Sequence, residues 1–307
     1  MKPKSLEKLR LPIMVAPMFL VSGPDLVIES AKAGVVGAFP TPNCRTIAEL
    51  DSWMNKVSAE TKEADGLWAA NLVTHRTNDR LIDDLALVAK HKPPIVITAL
   101  GSPAPAIPVV HEYGGIVLAD VVNLPLAKKA AKAGADGLVA VSAGAGGHTG
   151  HLSPFAFLSA LREFFDGIIC VGGGISDGAG VAGAVAAGAD IVYMGTRFLA
   201  AKESLAVPDY KEMVVQSSID DILVSAAITG TSASWLKASL ENNGYNLSDL
   251  TMPKERNYGG ADVGKRWKDL WAAGQGVGAV KTKAPAKEII ENLFQEFQKA
   301  QARISQY

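Results

Sequence analysis

Short apolar runs alternate with amphipathic or alanine-rich segments along the first two thirds of the chain. Runs of this length, rich in Val and Ile, are typical of strands, and the longer segments between them are typical of helices. Parallel strands need such long connections, and the connecting helices bury the sheet. Eight strands are predicted, near Ile13, Val35, Leu67, Ile95, Ile116, Leu138, Ile168 and Ile191. Eight strand and helix units close a TIM (β/α)8 barrel, the α/β fold class that we predict.

A recurring phrase marks the junctions where a helix gives way to a strand. The sequences AKAGVVGAF, AKAGADGLVAV and AAGADIVYMG begin at Ala31, Ala131 and Ala186. Each runs from an alanine-rich segment through a glycine into an apolar run. Because glycine adopts the left-handed conformation that commonly ends a helix, each copy predicts a helix end followed by a strand.

The alternation of predicted strands and helices ends after Leu199. Residues 203–270 contain helical stretches with polar, Asn-rich joints and no clear parallel strand. We interpret them as a mainly helical insertion after the eighth strand, which covers the barrel mouth as a lid, with an oligomer contact as the alternative role. The barrel itself would comprise residues 1–202 and 271–307, because the amphipathic segment from Pro285 is typical of an outer helix.

The overall charge limits the classes of partner. The 307 residues carry 30 Lys and Arg against 31 Asp and Glu, a formal net charge of -1. This balance gives no bulk attraction to nucleic acid or to an anionic membrane, so a small ligand is the simpler expectation. No apolar stretch reaches the roughly 18 residues of a membrane span, and the N-terminus lacks the features of a signal peptide. We expect a soluble cytoplasmic protein, either a monomer or a homo-oligomer.

The two cysteines do not indicate a disulfide framework. Cys170 lies inside the apolar run GIICV, which is typical of a small buried side chain, and Cys44 has no neighbouring cysteine. We predict no metal site.

Two glycine-rich loops follow the predicted seventh and eighth strands, VGGGISDG from Val171 and YMGTRF from Tyr193. In (β/α)8 barrels the backbone N–H groups of these two loops often bind a phosphate. Glycine permits close backbone approach, and threonine can add a hydroxyl donor. The candidate phosphate ligands are Gly173, Gly174, Gly195 and Thr196. Ordinary tight turns are the alternative interpretation.

Three glycines nearby, Gly178, Gly180 and Gly183, also satisfy the pattern G-x-G-x-x-G. A dinucleotide fingerprint needs its glycines directly after the strand and an acidic residue about 20 positions further on. Here the match begins well past the strand, and the next strand ends in Thr196-Arg197. We therefore do not interpret it as a Rossmann motif.

The sequence AGAGGHTGH, residues 143–151, follows the sixth predicted strand. Its glycines, Gly147 among them, would let the backbone approach a flat ligand, and His148 would project over that ligand. Histidine can hold, give or take a proton near neutral pH, so His148 is the candidate catalytic residue. His151 either orients this loop or caps the helix that begins near Ser153.

Other candidate residues follow the first and third strands or lie in the glycine-rich turn beyond the insertion. They are Ala16, Pro17, Met18, Asn71, Gln275 and Gly276. The amides of Asn71 and Gln275 can both donate to and accept from a heterocycle, whereas the others would form a backbone wall. His75 is either a site residue or a solvated side chain.

Taken together, these motifs closely resemble the nitronate monooxygenase family, formerly called 2-nitropropane dioxygenases. The motifs are APM, NLV, GGHTG, GGGISDG, MGTRF and AGQGVG, and they span nearly the whole chain. The resemblance implies non-covalent FMN, with its phosphate at the four residues named above and its ring near Ala16, Met18, Asn71 and Gln275. It also implies that His148 binds an anionic nitronate or deprotonates a neutral nitroalkane, while the flavin and O2 complete the oxidation to a carbonyl compound and nitrite.

The chain departs from the family pattern at two positions. Well-known members often carry Glu four residues before the histidine, where this chain has Gly144. Some also carry Lys near the end of the fifth strand, where this chain has Asp120. Both differences change the charge in or beside the pocket, so they bear on the substrate more than on the cofactor.

Two other functions use the same motifs. One is an NAD(P)H-dependent FMN oxidoreductase that acts on a quinone or an enoyl thioester, because the same barrel, phosphate site and histidine would serve it. The other is a flavin carrier or regulatory subunit without turnover, which a histidine at a strand end disfavours. A barrel similar to inosine-monophosphate dehydrogenase needs a nucleophilic Cys after the sixth strand, and this loop contains none.

Overall fold

Eight parallel strands close into a barrel in this computed structural model, which describes residues 4–250 and 268–307. The strands up to Met194 are β1 (Ile13–Val15), β2 (Val36–Pro40), β3 (Trp68–Val73), β4 (Ile95–Ala99), β5 (Ile116–Val121), β6 (Gly137–Val141), β7 (Gly147–His148), β8 (Ile168–Gly172) and β9 (Ile191–Met194). All of them except β7 belong to the barrel, and β9 pairs with β1 to close it. The predicted fold class and all eight predicted strands are confirmed.

Helices connect the strands and surround the barrel. They are α1 (Lys4–Glu7), α2 (Pro24–Lys32), α3 (Ile47–Glu63), α4 (Leu81–His91), α5 (Ile107–Glu112), α6 (Leu124–Lys132), α7 (Pro154–Arg162), α8 (Gly178–Ala186), α9 (Pro208–Gln216), α10 (Lys237–Asn242) and α11 (Ala286–Ile304). The glycines of the recurring phrase, Gly34, Gly134 and Gly188, have φ of +88°, +93° and +105°. They therefore end α2, α6 and α8 in the left-handed conformation that the phrase predicts.

The final helix, α11, returns to the outer ring. It packs against α8 and α2. The carboxylate of Glu296 accepts a hydrogen bond of 2.8 Å from the amide of Gly178, the first residue of α8. Since the first amides of a helix have no partner within it, this contact satisfies one of them and fixes α11 on the barrel.

Side chains from alternate strand positions fill the barrel interior. Those that form its buried apolar cluster are Leu6, Met14, Val36, Ala38, Leu67, Ala69, Ile95, Ile97, Leu118, Val139, Ile168, Cys170 and Ile191. The same alternation carries Asn71 of β3, Asp120 of β5 and Tyr193 of β9 to the interior at the carboxyl ends of the strands. The interior is thus apolar at one end and polar at the other.

The insertion contains an antiparallel ribbon that the sequence pattern did not predict. Strands β10 (Ile222–Ser225) and β11 (Ala233–Leu236) pair with each other, and β11 also pairs with β7. Helices α9 and α10 flank the ribbon, as the expectation of a mainly helical segment requires. The boundaries at residues 203 and 270 and the lid role stay predictions, and residues 251–267 of this segment lie outside the described residues.

Within residues 4–250 and 268–307, no helix is both long enough and apolar enough to cross a lipid bilayer.

Candidate functional site

Three glycine-rich segments meet at one carbonyl group. The oxygen of Gly144 accepts hydrogen bonds from the amide of Gly174, at 3.1 Å, and from the amide of Gln275, at 2.9 Å. The loops after β6 and β8 are thereby joined to the turn that follows the insertion. A Cβ atom on Gly144, which has φ of +87°, would lie 2.9 Å from the side-chain oxygen of Gln275. The Gln275 side chain therefore occupies the space that a larger residue at position 144 would need.

The loop after β9 joins the same group through Thr196. Its hydroxyl oxygen accepts a hydrogen bond of 2.9 Å from the amide of Gly274. Because the oxygen is the acceptor here, the hydroxyl proton of Thr196 can still be donated to a ligand. A Cβ atom on Gly146 would lie 2.7 Å from the amide nitrogen of Gly274, so only glycine allows these two backbones to approach this closely.

The ends of β8 and β9 offer amide groups to an anion. The backbone amides of Ile175, Ser176, Gly195 and Thr196 donate to no acceptor in the part of the chain that the structure describes. Gly174 has φ of +69°, and a Cβ atom there would point into open space. These four unpaired amides surround the open space at Gly174, and together they form a site that fits a phosphate group, which we call the cradle.

The structure separates the roles of the two candidate glycines on this loop. The amide of Gly174 is already used by Gly144, so Gly174 serves the cradle through its conformation and its missing side chain. A Cβ atom on Gly173 would lie 2.5 Å from the carbonyl oxygen of Ala143. Gly173 is therefore required for the contact between the loops after β6 and β8.

A cavity opens beside these glycines between α7 and α8. It is lined by Pro154, Phe155, Leu158, Gly173, Gly174, Ile175, Ser176, Asp177, Gly180 and Ala184. The residues of α7 in this lining are apolar, whereas the loop after β8 contributes the unpaired amides of Ile175 and Ser176. These amides therefore mark the side of the cavity at which an anion would bind.

The candidate catalytic residue, His148, lies on β7 opposite Ala233 of β11. The next residue, Thr149, fixes the loop on both sides: its amide donates to the carbonyl of Ser232 at 3.1 Å and its hydroxyl to the carbonyl of Ser142 at 3.0 Å. The ribbon of the insertion thus positions the histidine. Sequence analysis missed this contact, although the β-branched run ILVS and the turn at Gly230 were available signals.

The surroundings of His148 affect the protonation of its imidazole. The residue keeps solvent-accessible surface, yet the surrounding protein desolvates the imidazole and lowers its pKa below the ordinary histidine value. A histidine with a lowered pKa is neutral near pH 7, and a neutral imidazole can accept a proton. The lowered pKa therefore suits a general base near neutral pH.

The loop after β1 is held by a residue that sequence analysis did not select. The side-chain nitrogen of Asn43 donates to the carbonyl of Met18 at 3.1 Å, and the side-chain oxygen of Asn43 accepts from the backbone amide of Leu20 at 2.8 Å. A Cβ atom on Gly195 would lie 3.5 Å from both Ala16 Cβ and Met18 Sδ. The structure thus brings the wall formed by Ala16, Pro17 and Met18 next to the cradle.

The two amide candidates lie in different surroundings. Asn71 is buried and donates to the carbonyl of Ile97 at 3.3 Å, which leaves its own oxygen for a ligand. Gln275 is exposed beside Gly144 and Gly174, so it lies with the cradle rather than with Asn71. Its neighbour Gly276 is held against Ser176, whose hydroxyl would collide with a Cβ atom at position 276.

The two remaining candidate histidines have local surroundings. The Nδ1 atom of His75 lies 2.7 Å from the hydroxyl of Thr77, which stabilises the turn after β3. His151 is exposed, and it makes no side-chain hydrogen bond to any residue within 4–250 or 268–307. The cap that we considered for His151 at the start of α7 is therefore not formed there.

Asp120 is an acidic residue of the barrel interior at the carboxyl end of β5. Its Oδ1 atom is buried and accepts no hydrogen bond in the described part of the chain. Burial raises the pKa of this carboxyl group to about 7. Burial and the nearby charge of Asp120 together raise the pKa of Tyr193 well above its ordinary value.

Comparisons with known proteins agree with the motifs. A family model for nitronate monooxygenase matches residues 3–296. A "(3aS,4S,5R,7aS)-5-hydroxy-7a-methyl-1-oxo-octahydro-1H-indene-4-carboxyl-CoA dehydrogenase" of Rhodococcus jostii is 29% identical and covers 84% of this chain and 73% of its own length. A nitronate monooxygenase of Neurospora crassa is 26% identical and covers 92% of this chain and 88% of its own.

A solved structure shares the fold over almost the whole length. The structure of FabK from Thermotoga maritima superposes with a TM-score of 0.82 at 27% identity, and the match covers 98% of this chain and 97% of that one. The match of the family model over nearly all residues, together with the shared barrel, establishes the relationship. The chain belongs to the nitronate monooxygenase family, whose members are flavin-dependent oxidoreductases.

Proposed function

We propose that this protein is an FMN-dependent nitronate monooxygenase, which uses O2 to convert an alkyl nitronate into a carbonyl compound and nitrite. The observation that carries the proposal is the position of His148, which lies on β7 after the sixth barrel strand and keeps solvent-accessible surface. Active sites of (β/α)8 enzymes form at these strand ends. The substrate is a small molecule, and a cytoplasmic location, expected from the sequence, belongs to the same proposal.

The cradle would hold the phosphate of FMN. The loop after β9 supplies three donors, which are the amides of Gly195 and Thr196 and the hydroxyl of Thr196. Gly174 on the loop after β8 leaves the space for the phosphate open. Ala16, Met18 and Asn71 would border the ring. When bound, FMN supplies the electron acceptor that the organic substrate needs and passes electrons on to O2.

His148 would act on the proton or the charge of the substrate. In its neutral form the imidazole accepts the proton that a nitroalkane loses from carbon, and a nitronate then remains. If the substrate arrives as the nitronate, the same side chain donates a hydrogen bond to a nitro oxygen. The ribbon contact between β7 and β11 fixes the direction of the imidazole for either task.

Anaerobic mixing tests this function. Propionate 3-nitronate and the anion of 2-nitropropane should each bleach the bound flavin faster than NADH or NADPH does, because the site is proposed to take electrons from nitronates. Stopped-flow absorbance measures the rates, and free FMN with each reductant is the control for reaction outside the protein. A nicotinamide that bleaches the flavin faster than both nitronates would contradict the proposal.

One observation favours a second function, an NAD(P)H-dependent FMN oxidoreductase that acts on a quinone or an enoyl thioester. The barrel interior offers the carboxyl group of Asp120 and no described cation beside it that could pair with an anionic nitronate, whereas a neutral acceptor needs no such cation. The Rhodococcus jostii relative is named for a CoA thioester, which is a substrate of that neutral kind. The anaerobic test distinguishes the two functions, since this one requires rapid bleaching by a reduced nicotinamide.

A further inference from the structure

Asp120 lies where the polar end of the barrel interior begins. Ile116 and Leu118 of β5 point into the interior, and Asp120 continues their alternation at the carboxyl end of the strand. Tyr193 of β9 also packs against the interior cluster, and it is close enough for the charge of Asp120 to contribute to its raised pKa. The carboxyl group therefore lies at the floor of the proposed flavin site.

The surroundings of Asp120 offer no compensation for a negative charge. The Oδ1 atom is buried and without a hydrogen-bond partner among the described residues. Among the described residues, the ionisable groups near this region are the phenol of Tyr193 on β9 and the thiol of Cys170 on β8. The raised pKa of Tyr193 keeps its phenol uncharged at neutral pH. Burial alone accounts for the raised pKa of Asp120, with no contribution from a described cation. Asp120 as a whole is partly exposed, but negative charge on its buried and unpartnered Oδ1 atom is costly, so the neutral acid is favoured.

We propose that Asp120 is held as a neutral carboxylic acid at the floor of the flavin site and donates a hydrogen bond to the bound ring system. Its ionisation would then place a negative charge beside the ring, and that charge would make the flavin a weaker electron acceptor. Asp120 is on this account a positioning and tuning residue, which links the redox potential of the cofactor to pH. The inference rests on the proposed flavin site.

The first experiment tests the neutral acid without using the flavin. The full chain, after flavin removal, is unfolded with urea between pH 4 and pH 8.5, as wild type, Asp120→Asn and Asp166→Asn. Asp166 is exposed just before β8, at the opposite end of the barrel, so its variant makes the same chemical change without burial.

The expected sign follows from the raised pKa of Asp120, about 7 when folded against about 3.9 when unfolded. The folded state binds the proton more tightly, so wild type loses stability as pH rises from about 4 to about 7. Asp120→Asn removes this loss. The ratio of the unfolding constant of wild type to that of Asp120→Asn should therefore rise by up to about 10³-fold over that interval. The ratio of wild type to Asp166→Asn should stay constant, because both proteins keep Asp120. A constant ratio across the interval would contradict the neutral acid.

The second experiment measures the midpoint potential of the bound flavin between pH 6 and pH 9. Reduction adds negative charge to the ring, and the carboxylate of Asp120 opposes this charge above about pH 7. At about pH 8.5 and a fixed applied potential, the ratio of reduced to oxidised flavin should be about tenfold lower in wild type than in Asp120→Asn. Asp166→Asn should follow wild type at every pH.

The two experiments fail in different ways. If the protein binds no flavin, the proposed function is wrong, while the unfolding experiment still decides whether Asp120 is a neutral acid. If flavin binds and bleaches with nitronates but its potential has the same pH dependence in wild type and Asp120→Asn, the proposed function stands. Asp120 then does not tune the cofactor, and the inference is overturned.

Discussion

The two ends of the barrel interior are built from the same strands and serve opposite purposes. At the amino ends of the strands, Leu6 of α1 packs with Ile95 and Ile168 in a buried apolar cluster. At the carboxyl ends, the interior carries Asn71 and Asp120, and the loops carry glycines with positive φ. Close packing at the amino ends stabilises the fold. The carboxyl ends are less closely packed, which leaves open space and hydrogen-bonding groups for a ligand.

The difference teaches where substitutions should affect chemistry and where they should affect folding. Removing apolar volume at the closed end leaves a cavity and lowers the free energy of unfolding. Changing a glycine or a polar side chain at the open end alters what can bind there, because those residues leave backbone amides and buried oxygens for a ligand. Five substitutions or conditions test this division, from the largest expected effect to the smallest.

Gly174→Asp should abolish FMN binding. A carboxylate at this position would face the phosphate in the open space beside the cradle, and two unit charges about 4 Å apart repel by about 4 kcal/mol near a protein surface, or about 10³-fold in affinity. Flavin content of the purified protein and FMN titration measure the effect. Gly174→Ala, which adds a Cβ atom at the same positive φ without the charge, is the matched control. Full flavin content in the aspartate variant would place the phosphate elsewhere.

His148→Ala should lower turnover of the proposed nitronate or nitroalkane substrate by roughly 10²–10⁴-fold, the usual contribution of a positioned acid or base. FMN should be retained, because the imidazole is no part of the cradle. Steady-state oxygen consumption and the flavin spectrum measure the two quantities. His151→Ala, at an exposed position three residues further on, is the control. Unchanged turnover in His148→Ala would assign this histidine a structural role.

Ile95→Ala tests the closed end of the interior. Ile95 is 1% exposed in the apolar cluster, and truncation of such a side chain costs about 2–5 kcal/mol of unfolding free energy. Urea unfolding measures this loss. The folded variant should keep the flavin content and the turnover of wild type. A changed flavin spectrum would show that the two ends of the barrel are not independent.

Ser234→Pro should disturb the ribbon that positions His148. Ser234 lies opposite Gly147 on β11, which is the central strand of the ribbon, and proline removes a backbone donor from it. Turnover should fall by up to about 10²-fold, because the imidazole is displaced while the cradle stays intact. Ser234→Ala keeps the backbone donor and removes only a buried hydroxyl without a hydrogen-bond partner in the described residues. Equal activity in the proline variant and wild type would separate the ribbon from catalysis.

The pH dependence of turnover should give the smallest effect. Desolvation lowers the pKa of His148, so the neutral base persists at pH 7 and is lost only as pH falls through this lowered value, below about 6.5. Below that pKa, kcat/KM for a neutral nitroalkane should fall about tenfold per pH unit, whereas a preformed nitronate should show a weaker decline. The same steep decline for both substrates would indicate that His148 is not the base.

The strands of the barrel could be predicted from the sequence because each is encoded locally. The run near Ile191, for example, is apolar, is preceded by a helix-ending glycine and is followed by the MGTRF loop. Each of these features depends only on residues that are close together along the chain, so it can be recognised in a single sequence. The positions of Gly173, Gly195 and His148 at strand ends followed directly from that strand assignment.

The ribbon of the insertion could not be predicted in the same way. Strand β11 has four residues, and its partner β7 has two and lies more than 80 residues earlier in the chain. Strands this short carry little periodicity, and the pairing of Ala233 with His148 is a contact between distant segments. Asn43 was missed for a related reason, since its bonds to the loop after β1 connect two strand ends that the pairing of β1 with β2 brings together.

The sequence by itself determined the barrel, the order of its strands and the residue types at their carboxyl ends, because apolar periodicity and glycine caps act over a few residues. Only the tertiary structure decided which amides stay unpaired, that Gln275 fills the space beside Gly144, and that the Oδ1 atom of Asp120 is buried without a partner among the described residues. These properties depend on desolvation and on contacts between distant loops. Such effects exist only after the chain has closed the barrel.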